Sequence, residues 1–142
     1  MTKIERDILI NALIEKVFTY LDDPVNLMES QPGVTDIRNI NGRGIGQTWE
    51  WDYKMMGIPF KGKAEITRLT LNTELTIKTT GGISSVWAWR FKRHDEGTLL
   101  SLEIEYTIPV PVLGKVGELL ITQRNERVAD MAMLNIKERL EN

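Results

Sequence analysis

The sequence predicts an α+β fold in two layers, with one long helix lying across one face of an antiparallel sheet. Apolar and polar residues alternate with a period of two from about residue 34 to 110. The last 30 or so residues change to apolar residues at three- and four-residue steps. The length of 142 residues is that of one domain, residues 1–142. The expected order is a strand, one or two short helices, about six strands and the long helix.

The N-terminal part supplies the first strand and the short helices. A strand is predicted at about residues 3–11, where isoleucines alternate with charged residues. Asn11 is the predicted N-cap of a helix over residues 12–23. This helix is expected to end before Pro24, because proline disfavours helical geometry in the residue that precedes it. A second, short helix is predicted over residues 25–30.

The alternating region predicts a sheet with one dry and one wet face. The residues predicted on the dry face are large, and the ones we select as ligand contacts are Trp49, Trp51, Tyr53, Met55, Phe60, Ile77, Trp87, Trp89, Phe91, Leu102, Ile104 and Tyr106. Their indole N–H and hydroxyl groups need hydrogen-bond partners when buried, and they could orient a ligand's carbonyl or hydroxyl. The alternative is that these side chains pack against the helix and contact nothing else.

The size of any cavity is limited by its energetic cost. An empty void costs about 24 cal/mol per Å³, so an unfilled pocket of about 300 Å³ would cost about 7 kcal/mol. The free energy of unfolding of a whole domain is only about 5–15 kcal/mol. We therefore expect either a small, flattened cavity or one that water or a ligand occupies.

Three glycines, Gly42, Gly44 and Gly46, form the segment most similar to a ligand-binding loop. A phosphate-binding loop runs from a strand into a helix, whose N-terminus faces the anion. Here the strand-forming segment at residues 48–53 follows instead. The prediction is a hairpin, in which Asn41 and Gly42 tolerate a positive φ. A further expectation is that the glycines border the cavity.

The C-terminal helix is predicted from about Leu113 to Leu140, with its start weakened by Gly114 and Gly117. Its predicted inward face consists of Val116, Leu119, Leu120, Met131 and Leu134. Within or beside this face are Gln123, Arg124 and Arg127. We select Leu120, Gln123 and Arg127 as ligand contacts, with the two polar side chains meeting the polar head of an apolar ligand. The alternative is that they extend to solvent or pair with carboxylates.

This order of elements resembles the helix-grip fold of the START/Bet v 1-like (SRPBCC) superfamily, in its polyketide cyclase/dehydrase-like or coenzyme Q-binding-like members. The resemblance rests on ALIEKVFTYLDDPVNL, GRGIG, WAWRF and YTIPVPVLGKVGELL running into NIKERLE, and it spans nearly the whole chain. It implies a curved seven-stranded antiparallel sheet that grips the C-terminal helix, with a cavity between them. It also implies binding of lipids, sterols, quinones, polyketides or hormones, with enzymes and co-chaperone-like proteins as minorities.

Composition excludes several classes of function. A net charge of −2 with both signs interspersed gives no basic surface for nucleic acid. Without cysteine, the chain has no thiol nucleophile and no cysteine-ligated metal, and a cytoplasmic location is expected. The N-terminus does not have the pattern of a signal peptide, and no integral membrane association is expected.

The sequence gives little support for catalysis. The sole histidine, His94, lies in a predicted turn, and no Ser–His–Asp set or metal-ligand spacing is present. We predict no catalytic residues, no metal and no cofactor.

The predicted function is the binding or carriage of a hydrophobic or amphipathic small molecule between sheet and helix. One alternative is a polyketide cyclase/dehydratase-like enzyme, which would need an ionisable group with a perturbed pKa on the inner face. Another is an interaction protein with a collapsed cavity, whose exposed apolar patch would come from residues 109–121.

Overall fold

A computed structural model describes residues 2–55, 57–81, 83–107 and 110–141, the side chains of 110–113 and 115 excepted. Seven strands and three helices are formed: β1 (Thr2–Ile10), α1 (Ile14–Leu21), α2 (Pro24–Glu29), β2 (Val34–Asn41), β3 (Thr48–Met55), β4 (Ile58–Thr70), β5 (Glu74–Thr80), β6 (Ser84–His94), β7 (Gly97–Thr107) and α3 (Val110–Glu141). All neighbouring strands are antiparallel, in the order β1-β7-β6-β5-β4-β3-β2. The predicted fold class is confirmed. Residue 109, the first of the proposed apolar patch, lies outside the described residues.

The sheet is curved, and its concave face carries the residues that the alternation predicted. Trp89 is fully buried, Trp49 is 1% exposed and Tyr106 is 2% exposed. Trp51, Phe60 and Trp87 are half-buried, and the other predicted dry-face residues are buried. Each belongs to the core or packs against it. The register follows from this pattern, because a shift of one residue would turn every one of these side chains to solvent.

The two short helices differ in how they begin. Asp23 caps α2, since its carboxylate accepts a hydrogen bond from the Val25 N–H at 2.9 Å. The predicted capping of the first helix by Asn11 is wrong. Leu13 occupies that position without a side-chain hydrogen bond, and the Asn11 N–H donates to Glu141 Oε2 at 2.8 Å. Asn11 therefore ties the N-terminal strand to the end of α3.

The glycine loop is a hairpin between β2 and β3, as predicted. Gly42, Gly44 and Gly46 have φ angles of 81°, 69° and 92°. Residues that carry a Cβ rarely adopt this backbone conformation. The Gly46 N–H donates to the carbonyl of Ile66 at 2.8 Å, and the Gln47 N–H donates to that of Gly44. The expectation that these glycines border the cavity is wrong, because the loop lies beside β4 and none of its residues lines the cavity.

The predicted inward face of α3 is wrong. Val116 is 74% exposed and Leu134 is 59% exposed, and the other three residues assigned to that face are also exposed. The side that packs against the sheet instead carries Ile121, Val128, Ala129, Ala132, Met133, Ile136 and Leu140. At about 100° per residue, this side is opposite the predicted one. Apolar residues surround the helix, so their spacing alone does not select a face.

The buried side of α3 combines large and small residues. Ala129 and Ala132 are fully buried, as are Ile121 and Ile136. Near its start, Gly114 has non-helical backbone angles (φ 66°, ψ −177°) and kinks the helix, consistent with the predicted weak start. None of the helices in the described ranges is both long and apolar enough to span a membrane.

Candidate functional site

A cavity of about 50 Å³ lies between the middle of α3 and the concave face of the sheet. Side chains of the sheet form its inner wall: Trp51, Tyr53, Thr79, Ser85, Trp87, Ile104 and Tyr106. The other lining residues are Gln31, Pro32, Val34, Ile83, Arg124, Asn125 and Val128, and we call the part of the site that they line its mouth. A smaller cavity of about 10 Å³ lies beside it, and Trp51 and Trp87 line both. The site is therefore a narrow space in two parts, and the residues that line both parts include two indole rings.

A stack of aromatic rings forms one wall of this site. The Trp51 and Tyr53 rings are 4.3 Å apart between centroids and inclined by 25°, and Tyr53 stacks in turn on Phe60 at 5.5 Å. Gly62 lies opposite Trp51 on the neighbouring strand. A Cβ at Gly62 would lie only 2.7 Å from Trp51 Cε2 and Nε1. Because residue 62 is a glycine, the indole ring of Trp51 can occupy the space beside its Cα atom.

Tyr53 links the inner wall to the turn between β5 and β6. Its hydroxyl donates to the Gly81 carbonyl at 3.0 Å and accepts from the Ile83 N–H at 3.3 Å. Burial raises the pKa of the Tyr53 phenol, because desolvation disfavours the phenolate. Tyr53 is therefore a neutral hydrogen-bond donor at neutral pH, not a base.

Arg124 places a positive charge at the mouth. Its guanidinium lies over the Tyr53 ring, 5.9 Å from the centroid, and donates to Asn125 Oδ1 at 2.9 Å and to the Lys54 carbonyl at 3.4 Å. Among the described residues, no Asp or Glu forms an ion pair with it. Burial lowers the pKa of Arg124, and the nearby charge of Arg127 acts in the same direction. Arg124 nevertheless keeps its positive charge at neutral pH, because the arginine side chain loses its proton only far above neutrality.

Several polar atoms in and beside the cavity lack a complementary partner. The Tyr106 hydroxyl and the Nε1 atoms of Trp51 and Trp89 are buried, with no hydrogen-bond partner in the described part of the chain. By contrast, Trp87 Nε1 donates to Ser85 Oγ at 3.1 Å, and the Thr79 and Ser85 hydroxyls bond to each other. A buried unpaired donor costs roughly 1–3 kcal/mol, so such groups favour any molecule that offers acceptors.

The residues selected from the sequence occupy four different environments. Those that line the main cavity are Trp51, Tyr53, Trp87, Ile104 and Tyr106. Beside the smaller one lie Ile77 and Trp89. Deeper in the core, or stacked on Tyr53 in the case of Phe60, are Trp49, Met55, Phe60, Phe91 and Leu102. On the outer side of α3 are Leu120, Gln123 and Arg127, all exposed. The expected inward placement of these last three is wrong, and Arg124 takes the position expected for Arg127.

The selection missed several polar residues of the site. Thr79 and Ser85 each lie two residues from a selected residue, Ile77 and Trp87, on the same strand. The period-two alternation therefore predicted both on the same face of the sheet. Gln31 and Asn125 had no comparable signal, because their positions depend on how α2 and α3 meet the sheet. His94 ends β6 at its turn with β7, as predicted, and is exposed.

The comparison with known families agrees with this architecture. The family model described as polyketide cyclase / dehydrase and lipid transport matches residues 1–141. The chain belongs to this family. No curated protein matches it.

Solved structures share the fold of this family member at low sequence identity. TTHA0849 from Thermus thermophilus is similar with a TM-score of 0.81 and 18% identity, over 98% of this chain and 97% of that one. The di-domain ARO/CYC StfQ from the steffimycin biosynthetic pathway gives 0.76 and 18%, over 98% of this chain and 50% of StfQ. The Aha1 dimer from Colwellia psychrerythraea gives 0.69 and 16%, over 99% and 97%. These likenesses establish the SRPBCC/Bet v 1-like fold.

The contact between Gly62 and Trp51 can be tested by a double-mutant cycle. Gly62→Ala should lower the free energy of unfolding by about 1–3 kcal/mol, because the added methyl group displaces the indole ring. In a Trp51→Ala background the same change should cost almost nothing, since the obstructing ring is gone. Urea unfolding of the four proteins measures both values. An equal cost in the two backgrounds would show that the indole does not rest on Gly62.

Proposed function

We propose that this protein binds a hydrophobic or amphipathic small molecule in the cavity between the sheet and α3. The observation that carries the proposal is the Tyr106 hydroxyl, which is buried beside the cavity without a partner in the described residues. A protein interior normally pairs such a group, and a bound ligand with an acceptor atom would supply the partner. The lining around it is mainly aromatic and aliphatic, which is typical of small-molecule sites.

The resting cavity is smaller than the ligand class requires. At about 24 cal/mol per Å³, a 50 Å³ void costs only about 1 kcal/mol, so the unliganded form is tolerable. Ligand pockets are usually about 300–1,000 Å³. Binding therefore requires the walls to separate. Trp51 and Trp87 are half-buried and line both cavities, so a shift of their rings would join the two spaces.

The attachment of α3 supports a separation of the walls at the mouth end of the helix. Its C-terminal half is tied to the rest of the fold by hydrogen bonds from Lys16 Nζ to the Leu140 carbonyl, from Lys137 Nζ to the Leu9 carbonyl and from Asn135 Nδ2 to the Ser30 carbonyl. Near the mouth, α3 is joined to β3 by a long hydrogen bond of 3.4 Å, which Arg124 donates to the Lys54 carbonyl. Opening at the mouth end therefore breaks fewer contacts.

The lining favours binding over acid–base catalysis. Among the described residues that line the cavity there is no Asp, Glu or His, so no side chain there serves as an obvious general base. The raised pKa of Tyr53 leaves it a donor. We accordingly propose carriage or sequestration without chemistry, in a protein whose cysteine-free sequence is compatible with the cytoplasm.

Blocking the mouth tests this proposal. Val128→Phe should abolish binding, because Val128 borders the cavity and is buried on the inner side of α3. Leu134→Phe, on the outer side of the same helix, is the matched control and should leave binding intact. Each protein is incubated with a lipophilic cell extract and examined by native mass spectrometry, with circular dichroism to confirm folding. Failure of the wild type to retain any molecule, or equal retention by folded Val128→Phe, would contradict the proposal.

The exposed side of α3 favours a second candidate function, association with another copy of the chain. Val116, Leu120, Met131 and Leu134 project from this side, with Arg127 between them. Exposed apolar residues that share one surface commonly mark a contact site. The Aha1 structure similar in fold is a dimer, which adds support.

The sequence of this surface is self-complementary. If two copies of α3 pack antiparallel about Asn125, Val116 of each copy meets Leu134 of the other. Leu119, which is also exposed, meets Met131 in the same arrangement. This reciprocity is the requirement for a contact with twofold symmetry. The geometry therefore favours a second copy over an unrelated partner.

Leu120→Glu should convert such a dimer to a monomer, because each of the two copies then places a negative charge in the apolar contact. The control is Leu71→Glu, since Leu71 is 74% exposed in the β4–β5 turn, away from α3. Sedimentation velocity over a range of protein concentrations measures the outcome. A wild-type protein that stays monomeric at the highest concentration would exclude this second candidate.

A further inference from the structure

The geometry points to a flat organic anion as the ligand, an aromatic carboxylate or acidic phenol whose charge lies beside Arg124 and whose acceptor atoms reach Tyr106. This inference rests on the proposed binding function and specifies the chemical class that the site prefers. Three properties of the site lead to it: its charge, its surplus of donors and its aromatic walls.

The site carries a positive charge that no acidic side chain among the described lining residues neutralises. Arg124 is the only charged side chain among the described residues of the lining. Its guanidinium donates to two neutral oxygens and stacks on Tyr53, and neither contact neutralises it. A half-buried guanidinium gains most from a carboxylate or phenolate, whose oxygens accept its N–H groups with charge assistance. A cationic ligand would meet repulsion at the same place.

The polar groups of the inner wall are mostly donors. The Tyr106 hydroxyl and the Trp51 N–H are buried without partners in the described part of the chain. Thr79 and Ser85 share one hydrogen bond between their hydroxyls, and Ser85 also accepts from Trp87. Whichever hydroxyl donates within that pair, the other keeps a proton to give. A complementary ligand therefore presents acceptor oxygens and few donors.

The walls favour a flat molecule. Trp51, Tyr53, Trp87 and Tyr106 contribute aromatic rings to a cavity of only about 50 Å³. A planar ligand separates the sheet and α3 by the thickness of one ring, which requires less widening than a bulky skeleton. It can also stack on the indole faces. Because binding must open the site, a thin ligand loses the least packing.

Three probes of nearly equal shape separate these contributions. Cinnamate carries the anion, benzylideneacetone replaces the carboxylate by a neutral methyl ketone, and cinnamylamine carries a cation. Isothermal titration calorimetry compares their binding to the wild-type protein, to Arg124→Met and to Arg127→Met. Arg127 is the matched control, since it lies one turn further along α3 and is exposed.

Cinnamate should bind the wild type about tenfold more tightly than benzylideneacetone, with cinnamylamine the weakest. Arg124→Met should remove the preference by weakening cinnamate to the level of the ketone, and Arg127→Met should keep it. Unchanged ketone binding by Arg124→Met shows that this variant is folded with an intact cavity.

The inference is overturned if the ketone binds the wild type as tightly as cinnamate, or if Arg124→Met keeps the preference for the anion. In both cases, ketone binding that Val128→Phe abolishes would leave the proposed binding function standing. If the wild type binds none of the three probes, the result counts against the ligand class and the binding function together.

Discussion

One side of α3 is buried against the concave face of the sheet, and the rest of the domain's interior depends on this packing of helix on sheet. The large residues of both layers share the interior between them, which is packed at high density. Towards the middle of α3, Arg124, Asn125 and Val128 line a space that this packing leaves unfilled. That space is the cavity, so the site lies where the helix and the sheet do not fill the interior between them.

The polar character of the site follows from the same packing. Once α3 is close, the Tyr106 hydroxyl is shut off from water, and the guanidinium of Arg124 is held against Tyr53 with neutral partners alone among the described residues. Both arrangements cost free energy in the unliganded protein. A ligand with acceptor oxygens would offset these costs, so the strain in the resting site and its proposed selectivity have one physical origin. The exposed residues on the opposite side of α3 are a second consequence, since the helix is apolar on both sides.

Sequence patterns predicted the strands better than the orientation of the helix, for a physical reason. A strand with one wet face has only two possible orientations, and the alternation around Trp49–Met55 or Leu99–Tyr106 chose the correct one. The helix has many orientations, and apolar residues surround it. The large residues Leu119, Leu120 and Leu134 suggested one side, whereas the side that is buried carries Ala129 and Ala132. Because the buried side of α3 differs from the predicted one, Arg124 lines the cavity in place of Arg127. The packing of the helix on the sheet determines this difference, and the spacing of apolar residues in the sequence does not.

The central claim is that a ligand binds by separating the indole rings between the sheet and α3. Nitrogen–proton correlation spectra test it most directly, because each of the four tryptophans contributes one indole signal. On addition of cinnamate, the signals of Trp51 and Trp87, assigned by substitution, should move the most, since both line the two cavities. The signal of Trp49, which lines neither cavity, should stay in place. Binding that leaves the Trp51 and Trp87 signals unchanged would contradict the account.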